Sequence, residues 1–200
     1  MKNQNVLRPA TWKDDRALFI TQAGIIAAVY VVLTVVFAAF AFKGIQVRIS
    51  EMLTILPFFF PAAVPGVFIG CVIGNILGGA VLPDVVFGSL ATLIGAIGTY
   101  LIGEVHRKSV ANMGPKVDGF EASNVSKIKP KGSSELRGGL FLGAVPPIVA
   151  NALIVPFVLK YAYGEPLSIP LMMLTVGIGE VISCGILGVL LGHTIAKLHQ

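Results

Sequence analysis

The chain has 200 residues, a formal net charge of +5 and a mean hydropathy of +0.85, and 55% of its residues are hydrophobic while 12% are charged. This composition excludes a soluble domain and places the chain among integral membrane proteins. Its apolar runs are continuous rather than alternating, so they predict an all-α helical bundle and not a membrane barrel.

Six apolar segments are expected to cross the membrane, because a span needs about 20 apolar residues, or fewer where it is kinked or shielded by protein. They form one predicted transmembrane domain, with spans at residues 17–40, 51–64, 67–81, 85–103, 139–161 and 167–198. The first apolar run is too long for a secretory signal and is expected to stay in the mature protein. Pro57, Pro61 and Pro65 recur every four residues, which predicts a bent second span or only a packing irregularity.

Basic residues are distributed unevenly between the two sides of the predicted bundle. Twelve of the 15 lysines and arginines lie in the N-terminal segment, in residues 104–138 and in the C-terminal tail; the others are Lys43, Arg48 and Lys160. By the positive-inside rule, both termini are cytoplasmic, in a multi-pass protein of the cell membrane. This distribution also explains the basic charge without nucleic acid as a partner. Residues 104–138 are polar and lack apolar periodicity, so we expect a flexible cytoplasmic linker, or an arm that binds a cytosolic partner.

Polar side chains within or at the mouth of the spans are costly in lipid and are therefore candidates for function. Six are predicted to bind substrate: Arg48, Glu51, Asn75, Asp84, Asn151 and Glu180. Helix rise places Asn151 and Glu180 at a similar depth, roughly 15 Å from the outer ends of their spans, and the other four nearer the outer ends. One outward-facing pocket is the simplest interpretation.

Most of these residues also have a plainer explanation. Ser50 with Glu51, and Asp84 after a proline, fit ordinary helix starts. Asn151 fits a role in satisfying backbone groups freed by the prolines of its own span. Glu180 is the hardest to explain in this way, because it lies mid-span with no nearby lysine on its helix.

Small residues recur at helical spacing in several spans. Glycines at 66, 70, 74 and 78 repeat along the third span, and Ala23 and Ala27 share a face of the first. This spacing predicts close helix packing within the chain, or, for the alanine pair, a surface that docks a separate membrane subunit. Cys71 and Cys184 lie in apolar runs and are expected to be small core residues.

Several chemical motifs are absent from the sequence. It has no GxxxxGK[ST] phosphate loop, no HExxH metal pair and no serine-nucleophile elbow. We therefore expect no enzyme activity, no metal site and no cofactor, and no ATP hydrolysis by this chain alone.

Five stretches together resemble the QueT family of substrate-binding (S) components of energy-coupling-factor transporters. They are "IAAVYVVLTVVFAAF", "IQVRISEMLTILPFFFPAAVPGVFIGCVIGNILGG", "DVVFGSLATLIGAIGTYL", "PPIVANALIVPFVLKY" and "LTVGIGEVISCGILG". The resemblance covers about residues 18 to 195 and is weakest in the long linker. It implies a six-helix S component that binds a queuosine precursor, a deazaguanine base with or without its aminomethyl group, from outside. It also implies delivery through one coupling membrane protein and two cytosolic ATPases.

The same resemblance implies roles for individual residues. Ala23 and Ala27 stand where S components carry an Ala-x-x-x-Ala pattern that meets the coupling protein. Glu180 or Glu51 would grip the amidine-like edge of the base, Asn151 and Asn75 would read its carbonyl and ring, and Asp84 would neutralise the amine. Arg48 would hold Glu51 ionised or close the outer opening of the pocket.

Two alternatives remain open from the residues. An S component for another vitamin would need the same kind of polar pocket. A self-sufficient secondary carrier or small channel would work without ATPase subunits.

Overall fold

The structure is a computed structural model that describes residues 16–37, 47–112 and 132–198. The N-terminal segment, the end of the predicted first span at 38–40, Lys43, and 113–131 of the predicted linker lie outside these ranges. Within the described ranges all regular secondary structure is helical. The elements in chain order are α1 (Arg16–Val36), a 3-10 helix (Ile49–Phe58), α2 (Ala63–Leu77), α3 (Leu82–Asn112), α4 (Gly132–Ala162) and α5. Helix α5 joins an α-helical part (Ile169–Glu180), a π-helical part (Val181–Gly188) and a second α-helical part (Val189–Leu198).

Four of these helices are long and apolar enough to cross a membrane, at Arg16–Val36, Leu82–Ser109, Gly138–Ala162 and Ile169–Lys197. The 3-10 helix and α2 are apolar but shorter. Each of the six apolar segments of the sequence therefore contains a helix, and the membrane class predicted from composition agrees with their length and hydropathy.

The bend predicted in the second span is a break between two helices. The 3-10 helix ends at Phe58, and α2 begins at Ala63, before the predicted start of the third span at 67. Pro57, Pro61 and Pro65 cannot donate the backbone hydrogen bonds that a continuous α-helix needs through this stretch. The backbone N–H groups of Phe59 and Phe60 both donate to the Leu56 carbonyl at 2.9 Å and close the turn.

Helices extend into both ends of the segment expected to be a linker, since α3 continues to Asn112 and α4 begins at Gly132. Glu104 pairs with Arg107 at 2.7 Å and with Lys108 at 3.8 Å, and ion pairs three and four residues apart support a helix. Arg107 also donates to the Phe58 carbonyl, which ties α3 to the end of the 3-10 helix.

Small residues let α1 and α2 approach closely. A Cβ atom added at Gly66 would lie 2.9 Å from the Ala23 carbonyl oxygen, and one at Gly70 would lie 3.0 Å from the Ala27 carbonyl oxygen. Ala23 and Ala27 are themselves buried in this contact. This is the packing within one chain that small-residue spacing predicts; docking of a separate subunit on the alanine pair stays a prediction.

Helices α3 and α4 cross at a second glycine contact. Cβ atoms at Gly95 and Gly98 would lie 2.5 Å from atoms of Pro147 and Pro146. Pro147 has no N–H to bond the Gly143 carbonyl one turn earlier, and Thr99 of α3 donates to that carbonyl at 2.7 Å instead. The prolines of α4 are therefore accommodated by glycines and a threonine on α3.

We expect Gly70→Ala to lower the free energy of unfolding by about 1 to 3 kcal/mol, because the new methyl group would lie 2.7 Å from Tyr30 Cβ and close to the α1 backbone. Thermal unfolding of the purified protein in detergent measures the change. Gly24→Ala is the matched control on α1, where an added Cβ has nothing within 4 Å. Equal melting temperatures for the two variants would contradict the close α1–α2 contact.

Candidate functional site

A cluster of buried polar side chains joins one end of the bundle to its interior. All six residues predicted to bind substrate are buried, with exposed fractions between 0 and 6%: Arg48, Glu51, Asn75, Asp84, Asn151 and Glu180. Polar groups that are buried in so apolar a chain need specific hydrogen-bond or ionic partners. The partners divide the cluster into an ion pair at the end of the bundle, a pair of acids deeper inside, and two asparagines.

The ion pair joins Arg48, at the start of the 3-10 helix, to Asp84, in the first turn of α3. Arg48 Nη2 lies 3.1 Å from both Asp84 carboxylate oxygens. The sequence-based expectations placed Arg48 beside Glu51 and left Asp84 for a ligand amine, whereas in the structure these two residues bind each other. A guanidinium buried this deeply needs a carboxylate in direct contact, and Asp84 supplies it.

Tyr163, in the loop between α4 and α5, fastens this ion pair to two further segments. Its hydroxyl donates to Asp84 Oδ2 at 3.0 Å and accepts from the Val81 backbone N–H at 3.2 Å. Burial, and then the nearby Asp84 carboxylate, raise the pKa of the Tyr163 phenol above its usual range. The phenol therefore remains protonated and keeps donating to Asp84 at physiological pH.

Glu51 is the carboxylate nearest the centre of the cluster. Its Oε1 accepts from the Tyr30 hydroxyl at 2.5 Å and from Thr92 Oγ1 at 2.8 Å, while Oε2 has no hydrogen-bond partner among the described residues. The helix start explains the Glu51 backbone, whose N–H donates to the Arg48 carbonyl at 2.9 Å. It does not explain a fully buried side chain with one acceptor oxygen unused.

Glu180 meets Glu51 across the interior. One ligand atom each from Glu51, Glu180 and Cys184 lie within 4.8 Å of one another. Glu180 is the last residue before the π-helical part of α5, and such segments are frequent at functional sites. The Cys184 sulfur is 3.2 Å from Glu180 Oε2 and 3.3 Å from Thr54 Oγ1, so hydrogen bonds connect these groups.

The two asparagines occupy different surroundings. A Cβ atom at Gly88 would lie 3.4 Å from Arg48 Nη1 and 3.6 Å from Asn75 Nδ2, so Asn75 borders the ion pair. Asn151 Nδ2 donates to the Pro147 carbonyl at 3.2 Å, and Asn151 Oδ1 is buried without a partner among the described residues. The backbone groups that prolines leave free are carbonyls, which an acceptor such as Asn151 Oδ1 cannot bond, so rescue of the backbone does not account for this oxygen.

Several residues of the cluster were missed from the sequence: Tyr30, Thr54, Thr92, Cys184 and Tyr163. Tyr30 follows Ala23 by seven residues and Ala27 by three, and this spacing places it on the buried face of α1. The spacing from Ala23 and Ala27 could therefore have identified Tyr30 from the sequence. Thr92, Thr54 and Tyr163 carry no comparable signal, because threonine and tyrosine are tolerated in apolar helices and loops without a functional role.

The structure is closed around the cluster. The cavity beside Arg48 measures about 10 Å³ and is bordered by Tyr30, Leu33, Thr34, Phe37, Arg48, Ile49, Ser50 and Asn75. Pockets that take organic ligands measure about 300 Å³ or more. Glu51 and Glu180 are themselves at most 2% exposed, so among the described residues a ligand reaches them only if neighbouring side chains move.

Comparison with known proteins gives two matches. The QueT transporter family model matches residues 20–197. The chain is also 38% identical over 84 residues to the queuosine precursor transporter QueT of Lactococcus lactis subsp. cremoris (strain MG1363), a match that covers 41% of this chain and 49% of that protein. The match thus spans about half of the length of the curated relative. No solved structure matches the chain.

We expect Asp84→Asn to lower the free energy of unfolding by about 3 kcal/mol or more, because it leaves the buried Arg48 guanidinium without a matching charge. Unfolding in detergent measures the change, and the double variant Arg48→Met with Asp84→Asn should recover part of it. Glu104→Gln is the control on the same helix, where the ion pair is about one-third exposed and contributes little. An Asp84→Asn variant as stable as the control would contradict a buried ion pair at this position.

Proposed function

Because the chain belongs to the QueT transporter family, we propose that it is the substrate-binding component of an energy-coupling-factor transporter and that its substrate is a queuosine precursor. The family consists of transporters and not enzymes, and four helices of this chain are long and apolar enough to span a membrane. The queuosine precursor is taken from the printed name of the relative, which matches over about half of its length.

The observation that carries the proposal is the pair of buried acids in the interior of the bundle. Glu51 Oε2 has no hydrogen-bond partner within the described ranges, and a carboxylate oxygen of Glu180 lies within 4.8 Å of one of Glu51. A deazaguanine base presents neighbouring N–H donors along one edge, and a carboxylate accepts two such donors at once. Glu51 or Glu180 would hold this edge.

The remaining groups suit the rest of such a base. Asn151 has an unused buried acceptor, Oδ1, and Asn75 lies beside the ion pair with a side-chain amide that both donates and accepts. The Arg48–Asp84–Tyr163 group links the 3-10 helix, α3 and the loop between α4 and α5. Its opening would admit the ligand, and its closure would exclude water from the bound state.

The finer architecture belongs to the same proposal. The chain would form a single domain of six membrane-crossing segments with cytoplasmic termini, and the 3-10 helix and α2 would supply the two short ones. Energy would come from two cytosolic ATPases through a coupling membrane protein, since the sequence contains no phosphate-binding loop. Ala23 and Ala27 are buried against α2 here, so docking through them would require the α1–α2 contact to open.

We expect the purified protein to bind a deazaguanine precursor, and Glu51→Gln and Glu180→Gln each to weaken binding by about 1.5 to 3 kcal/mol, the usual worth of a charge-assisted hydrogen bond. Titration calorimetry or a thermal-shift assay in detergent measures both. Glu104→Gln is the matched control, because its carboxylate lies in an exposed pair away from the cluster. Unchanged affinity in both acid variants would remove the pair from the binding site.

Dependence on ATPase subunits tests the transporter class. Uptake of the precursor by cells should need the coupling protein and both ATPases in addition to this chain. Uptake supported by this chain alone would instead identify a self-sufficient carrier.

A further inference from the structure

The cluster contains one buried ion pair, Arg48 with Asp84, and one pair of buried acids, Glu51 with Glu180. Arg48 and Asp84 are in direct contact at 3.1 Å and neutralise each other. Within the described residues, no lysine, arginine or histidine forms a salt bridge with Glu51 or Glu180. The two inner acids therefore face each other without a cation of their own.

The side chains in contact with the two acids are uncharged. Tyr30 of α1 and Thr92 of α3 donate to Glu51, and Cys71 of α2 lies 3.4 Å from Thr92 Oγ1. Cys184 of α5 donates to Glu180. Such donors stabilise one negative charge, but they cannot offset two.

Two of the described cations are engaged elsewhere. Arg48 is held by Asp84, and Lys160, the one basic side chain described on α4, binds the backbone carbonyls of Glu165 and Leu167 at 3.1 and 3.2 Å. Asn151, which α4 also carries, is uncharged. Neither of these two cations is thus free to neutralise Glu51 or Glu180.

One carboxylate oxygen each of Glu51 and Glu180 lie within 4.8 Å of each other in a water-excluded interior, where two negative charges repel strongly and one of two such acids keeps its proton. Cys184 bridges the two segments that carry the acids: its sulfur is 3.2 Å from Glu180 Oε2 and 3.3 Å from the Glu51 backbone carbonyl, and its single S–H can donate to one of the two. The bundle thus holds the Glu51 and Glu180 side chains on neighbouring elements in the same buried region.

We propose that Glu51 and Glu180 form an acid pair that carries one proton in the empty site and releases it when a ligand bearing an ammonium group binds. The carboxylic O–H bond breaks, the proton passes to solvent, and the ligand cation takes over the neutralising charge, so the net charge of the site is unchanged. The inference rests on the proposed function and narrows its substrate: the site selects a deazaguanine that carries an aminomethyl group over the same base without it. Asp84, expected from the sequence to meet the amine, is already held by Arg48.

Titration calorimetry of the full-length protein in detergent tests the inference with two ligands, the deazaguanine base with its aminomethyl group and the base without it. Each titration is run at one pH in phosphate and in Tris, whose ionisation enthalpies differ, so the difference in heat counts the protons released. We expect about one proton released per aminomethyl ligand and none for the other base. The aminomethyl ligand should also bind about 10-fold tighter or more, as a charge-assisted contact implies.

Two variants test whether the released proton comes from the Glu51–Glu180 pair. In the Glu180→Gln variant, proton release should fall close to zero, because Glu51 has no second carboxylate with which to share a proton. In the control Glu104→Gln, proton release should be unchanged. The comparison of the two ligands on the unaltered protein needs no variant, so it decides the question even where Glu180→Gln does not fold. Equal affinities without proton release would overturn the acid pair and leave the proposed function standing. Binding of neither ligand would overturn the proposed function and this inference together.

Discussion

The cost of withdrawing charge from water governs this structure. The chain places an arginine and three carboxylates in the interior of an apolar bundle, where each needs a partner in direct contact. Arg48 and Asp84 neutralise each other through Arg48 Nη2, although Arg48 Nη1 has no hydrogen-bond partner among the described residues, and Tyr163 donates to Asp84 from a third segment. Glu51 meets it only in part, through Tyr30 and Thr92, and keeps one oxygen unused. This Glu51 oxygen, which has no hydrogen-bond partner among the described residues, is the atom that a ligand donor could bind.

Small residues set the distances at which these groups can meet. Gly70 brings α2 against the backbone of α1 at Ala27, next to Tyr30, and Gly88 leaves the space that Asp84 and Arg48 occupy, since a Cβ atom there would lie 2.7 Å from Asp84 Oδ1. In a membrane, close contact of helices is the main source of packing energy because lipid is as apolar as the side chains. The same glycines therefore contribute to both the stability of the bundle and the geometry of the polar cluster.

The sequence was sufficient for the class of fold and for the approximate location of the helices, because hydropathy and its interruptions are local properties. It also singled out six polar residues that the structure buries. It was not sufficient for their pairing. The contact of Arg48 with Asp84 joins residues 36 positions apart, and no spacing rule connects them. It also did not predict that the second apolar segment winds as a 3-10 helix, because propensity distinguishes poorly between helix types in a run so rich in proline and phenylalanine. The role of Thr99 at the proline of α4 likewise depends on tertiary contact and not on its own segment.

The winding of this short segment has a geometric consequence. Its 10 residues advance about 2.0 Å each and reach about 20 Å, where an α-helix of the same length would reach about 15 Å. Three residues per turn also place Thr54 one turn beyond Glu51, where its hydroxyl donates to the Glu51 backbone carbonyl at 2.6 Å, and both of these oxygens lie 3.3 Å from the Cys184 sulfur of the neighbouring helix. Insertion or deletion of a single residue in this segment would rotate the residues that follow by about 120° about the helix axis. Glu51 and Thr54 would then no longer be aligned beside Cys184. Relatives of this chain should accordingly vary in the composition of the segment far more readily than in its length.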